Sequence, residues 1–131
     1  LALLRMFRGR QPYPLLLSAK REFKQKEFSS LLRAIVVITF RYNTIGSYSP
    51  ADQEKVYCEV AEKISSKEII DLNDVWSYLK PIYIDDDRFY FDFSSKSINT
   101  SDSRSRKLVR YILCAIEKKY LEHHWILPLI L

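Results

Sequence analysis

Five cations fall within fifteen residues late in the chain: Lys96, Arg104, Arg106, Lys107 and Arg110. Serine and asparagine lie among them, and those side chains also donate to phosphate oxygens. The chemistry such a group suits is contact with an anionic backbone, DNA first. On a helix, Arg106 and Arg110 share one face, and Arg104 and Lys107 a neighbouring one. No aromatic or amide is placed to read base edges. The expected binding is therefore sequence-independent and weakens steeply with salt. A solvated helix end accounts for the same residues equally well.

Residues suited to catalysis are fewer. His123 and His124 are the only histidines and lie at the C-terminal edge. A Cys–His or Ser–His pair through either requires the tail to fold back. Cys58 and Cys114 sit in apolar helical patterns and read as reduced core cysteines of a cytoplasmic protein. Asp85, Asp86 and Asp87 read as negative charge at a helix start. A calcium loop needs ligands at alternate positions and a closing Glu, which this run lacks. There is no zinc spacing, Gly-rich phosphate loop or nucleophile elbow. No catalytic site, cofactor or metal is expected within these residues.

The elements that must position these groups read as helices. The 131 residues favour one domain, and two glycines are too few for the turns of an all-β chain. With 47% apolar and 28% charged residues, the chain has globular rather than disordered composition. A net charge of +5 and a pI near 9.2 suit an anionic partner or simply a basic surface. The longest apolar run of the main body, residues 34–40, lies inside 28–43. There Phe28, Leu31, Leu32, Ile35, Ile38, Thr39 and Tyr42 recur at steps of three and four. That phasing predicts a buried central helix, although Ile35 to Thr39 favour a strand on propensity. Arg41 at its end is expected to be structural, paired with a carboxylate of another helix or with the last carbonyls, and Asn43 to be its C-cap.

Around it, residues 1–7 predict a short helix ended by Gly9, and Pro14 opens a helix to about Glu22. Ser49 caps one from Pro50 to about Ser65, with Val56, Tyr57, Val60, Ala61 and Ile64 as its apolar stripe. Asp71 caps one stopped by Pro81, and the Asp85–Asp87 run starts one through Phe93. The last helix runs from Arg104 to about Tyr120, with Leu108, Tyr111, Ile112, Ala115, Ile116 and Tyr120 on one face and Ser101, Asp102 or Ser103 as its cap. The expected fold is all-α: a single compact domain of about six helices over residues 1–120 around the buried central one. Residues 121–131 form a separate tail. No secretory signal and no membrane-spanning run are seen.

Gln11-Pro12-Tyr13-Pro14-Leu15-Leu16-Leu17, Phe28-Ser29-Ser30-Leu31-Leu32 and Thr39-Phe40-Arg41-Tyr42-Asn43 come in order. Glu54-Lys55-Val56-Tyr57 with Ala61 follows, then Ser97-Ile98-Asn99-Thr100, Arg110-Tyr111-Ile112-Leu113 and Ile116-Glu117. This order resembles the helical middle region of GmrSD-like proteins, which are similar to modification-dependent restriction enzymes. The resemblance covers about Gly9 to Tyr120 and rests on helix-packing motifs. It implies a non-catalytic helical domain between a ParB-like nucleotide-hydrolysing domain and a His-Asn-His nuclease domain, positioning both. The sequence Glu122-His123-His124-Trp125-Ile126-Leu127-Pro128 faintly echoes the opening of such a nuclease domain. Leu121 to His124 also read as the start of an expression tag. The alternative to the restriction-type reading is a stand-alone protein–protein interaction module. The absence of Met at Leu1 suggests a piece of something longer.

Overall fold

The computed structural model describes residues 2–123 and is all-α, with no strand among them. Seven α-helices follow in order: α1 (Ala2–Met6), α2 (Tyr13–Glu22), α3 (Gln25–Thr39), α4 (Pro50–Ser65), α5 (Leu72–Leu79), α6 (Asp86–Ser95) and α7 (Ser103–His123). A wide helical turn (Phe40–Ile45) follows α3, and a tight one (Lys80–Ile82) follows α5. The residues up to Lys96 form one compact unit and those from Ser97 a second.

Helix starts follow local side-chain chemistry. The Ser49 hydroxyl accepts from the Asp52 amide at 3.3 Å, with Pro50 in the first turn of α4. Asp71 accepts from the Asn73 amide at 3.0 Å, and Asp85 from the Arg88 amide at 2.8 Å. The Asp85–Asp87 run is thus a helix start, as its spacing predicts. At the end of α1 the structure departs from expectation. Arg8, not Gly9, takes the left-handed conformation (φ 59°), and the Gly9 amide reaches back to the Leu4 carbonyl at 2.8 Å. Gly9 is needed for closeness instead: a Cβ there would lie 2.6 Å from the Thr39 methyl.

The core of the first unit joins α2, α3 and α4. Leu15 and Ala19 of α2, Leu31 and Ile35 of α3, and Tyr57, Val60 and Ile64 of α4 are fully buried. Each large aliphatic side chain so buried stabilises by about 1.5–3 kcal/mol. Val75 and Leu79 of α5, with Ile69 and Ile82 beside it, extend the same cluster. The α3 helix is buried along one face only: Leu31, Ile35, Ile38 and Thr39 point inward while Arg33 and Val37 are exposed. The all-round apolar run at residues 34–40 therefore overstated its burial. Propensity yields here to the three-and-four phasing, which sets the buried face.

The α-helical ladder of α3 stops at Thr39, whose hydroxyl donates to the Ile35 carbonyl at 2.8 Å. One extra residue is then accommodated, and the Gly46 amide closes onto the Arg41 carbonyl at 3.0 Å, five residues back. That turn rotates Asn43 toward α4. It is not a C-cap: it exchanges two hydrogen bonds of 2.9 Å with fully buried Gln53. Arg41 takes the structural role expected of it. Its Nη1 donates to the Ile84 carbonyl at 2.9 Å and to Asp86 Oδ1 at 2.8 Å. Its guanidinium lies 4.7 Å from the centre of the Phe89 ring.

Candidate nucleic-acid interface

The polar loop before α7 is built from its own side chains. Asn99 Oδ1 accepts from the Ser101 amide at 2.9 Å. Asp102 caps α7: one carboxylate oxygen accepts from the Ser105 amide at 2.9 Å, the other from the Ser105 hydroxyl at 2.8 Å. The bonds from the Ser105 amide and hydroxyl hold the Asp102 carboxyl below its ordinary value. A fixed negative charge therefore sits at the helix start, where the dipole and the neighbouring Arg106 both favour it.

The five predicted cations fall in two pieces. Lys96 ends α6 in the first unit, and its amine donates to the Ser47 hydroxyl at 3.2 Å. Arg104, Arg106, Lys107 and Arg110 share the first two turns of α7 in the second unit. Arg106 turns back on the loop, donating to the Thr100 and Ser101 carbonyls at 3.1 and 2.9 Å. Its guanidinium braces the loop. Arg104, Lys107 and Arg110 are exposed and have no ion-pair partner among the described residues. Steps of three along a helix place them in a slowly winding row on one side.

No residue of α7 from Ser103 to Glu122 is buried. Of its expected apolar stripe, Leu108, Tyr111 and Ile112 are half-buried, whereas Ala115, Ile116 and Tyr120 are exposed. The apolar residues divide into two bands, not one. Leu108, Ile112 and Ala115 form the first. Val109, Leu113, Ile116 and Tyr120 form the second, with Leu113, Ile116 and Tyr120 at 61%, 53% and 55% exposure. Sequence reading missed this second band because the two lie about a third of a turn apart and merge into one apolar pattern.

No family model, curated protein or solved structure matches the chain.

The first unit carries surface features of its own. A groove of about 520 Å³ is lined by Tyr13, Leu16, Leu17, Phe28 and Leu32 together with Arg5 and Lys20. On α6, Tyr90 and Phe91 are exposed beside the Asp85–Asp87 run. The two cysteines are free, but Cys58 is only half-buried and Cys114 is exposed, so neither is a core residue. Both fall beside an apolar stripe, not on it. Among the described residues no cluster of His, Cys, Asp and Glu could hold a metal ion. No described helix is long and apolar enough to cross a membrane. The expectations for residues 124–131 lie outside the described residues.

Proposed function

We propose that this chain is a non-catalytic helical domain of a cytoplasmic, GmrSD-like restriction-type protein. It holds neighbouring catalytic domains in place and touches the DNA backbone through α7. The observation that carries the DNA part is the row of Arg104, Lys107 and Arg110, exposed and without acidic partners at the start of α7. Three cations on one helix side suit a phosphate track and carry no base specificity. Three phosphate contacts give a logarithmic salt slope of about −2.7, or about a forty-fold loss of affinity from 50 to 200 mM salt. Fluorescence anisotropy with a short duplex measures it. Arg104→Glu with Lys107→Glu should flatten the slope by about 1.8. Undetectable binding at low salt, or an unchanged slope in that variant, removes the DNA contact. The positioning role fails if the full reading frame encodes no ParB-like or nuclease domain around these residues.

A second reading, a protein–protein interaction module, is favoured by the exposed aromatics of α6. Tyr90 and Phe91 are 76% and 61% exposed. Their acidic neighbours disfavour nucleic acid there and suit a basic protein surface.

A further inference from the structure

The second apolar band of α7 has the geometry of a pairing seam. Val109, Leu113, Ile116 and Tyr120 follow at steps of four, three and four, the alternation of coiled-coil core positions. The seam has two unlike edges. Arg110 and Glu117 flank it on one side, Ile112 and Lys119 on the other. Lys119 already has a partner in Glu122, at 3.8 Å. Neither Arg110 nor Glu117 has an ion-pair partner among the described residues.

We propose that this seam docks on the same seam of a second copy of the chain, with the two α7 helices antiparallel. Charge complementarity selects both the occupant and its direction. In an antiparallel pair like edges meet, so Arg110 faces Glu117 of the partner subunit, and the two-fold axis makes that contact twice. In a parallel pair unlike edges meet. Glu117 would then face Ile112 of the partner subunit, Arg110 would face Ser105 of the partner subunit, and no ion pair forms. The antiparallel register also sets Val109 against Tyr120 of the partner subunit, and Leu113 against Ile116 of the partner subunit. Small then lies opposite large at the ends and similar sizes meet in the middle. Arg104 and Lys107 wind along a different side and stay uncovered, whereas Arg110 is engaged at the seam edge, so the paired form keeps two of the three cations for backbone contact.

The seam is about 17 Å long at 1.5 Å per residue. An interface of that length is small, and its affinity should fall between about 10 and 300 µM. Sedimentation velocity of the whole chain from about 5 to 500 µM brackets this range. The expected result is a shift from a 15.6 kDa monomer to a dimer. Leu113→Asp with Ile116→Asp should be monomeric throughout, with circular dichroism confirming that the helices persist. Arg110→Glu and Glu117→Arg should each weaken pairing about tenfold, and the two together should restore it to within about threefold. A chain monomeric at every concentration overturns the proposal, as does a dimer that survives the Asp pair. Charge reversals that do not rescue each other overturn the antiparallel pairing. So does an Asp-pair variant whose monomer melts earlier, because the seam would then be covered within one chain.

Discussion

Replacing Tyr57 with Phe removes one oxygen atom from the middle of the first unit's core. Tyr57 is fully buried on α4, and its hydroxyl has no hydrogen-bond partner. The Gln53 side chain lies close enough to oppose part of the effect of burial on the Tyr57 pKa, while its amide exchanges two bonds of 2.9 Å with Asn43. A buried hydroxyl without a partner costs about 1–3 kcal/mol. Against that stands the space the oxygen leaves, roughly 10 Å³, or about 0.3 kcal/mol at the usual cavity coefficient. Tyr57→Phe should therefore stabilise the unit by about 1 kcal/mol, raising its melting temperature by about 4–8 °C in calorimetry. Burial also raises the Tyr57 pKa above its ordinary value of 10.0. Above that pH the unfolded chain ionises Tyr57 and the folded one does not, so the unfolded state binds fewer protons and stability falls. The Phe variant lacks this loss, and its advantage should widen as pH rises past 10.0. A variant less stable than the parent by more than about 0.5 kcal/mol would refute the reasoning, since the hydroxyl must then be satisfied. An advantage that does not change in alkali would refute the pH part.

The Asn43–Gln53 amide pair should be tightly coupled. Asn43→Ala removes both 2.9 Å bonds from fully buried Gln53 and should cost about 2 kcal/mol by urea denaturation. A cycle with Gln53→Ala showing less than about 0.5 kcal/mol of coupling would contradict the pairing. The Asp102 cap should be visible in pH. Its folded pKa is lowered, so its contribution is present above the ordinary 3.8 and is lost as pH falls through the lower folded value. The Ser105 amide resonance should report that transition by NMR, and a midpoint at or above 3.8 would remove the cap.

Capping was legible in the sequence because it is local. Ser49, Asp71 and Asp85 each act on an amide two or three residues away, and the residue types alone announce this. The structural role of Arg41 was legible for a related reason: a cation at a helix end has few alternatives. The wide turn after Thr39 was not, since no Gly or Pro lies within Phe40–Ile45 and an extra residue per turn leaves the apolar pattern nearly intact. Missing it turned Asn43 into an apparent cap. Arg106 was counted with the free cations because loop carbonyls leave no trace in periodicity. Two apolar bands on α7 looked like one for the same reason that α3 looked buried all round. Periodicity shows where apolar residues recur but not which neighbour is there to cover them.

The lack of any buried residue on α7 from Ser103 to Glu122 has a consequence for what a solvent-exchange measurement would see. An amide is protected only as long as the opening that exposes it is costly. Opening α2 or α4 tears out Leu15, Tyr57 and Val60, so their amides exchange only with the whole first unit. Opening α7 within one chain tears out no fully buried side chain, only half-buried ones such as Leu108 and Ile112. Its 21 residues contribute strongly to the helical signal in circular dichroism yet should exchange early, turn by turn. Helical content and protection therefore part company along this chain, and deuterium uptake follows the core, not the helices.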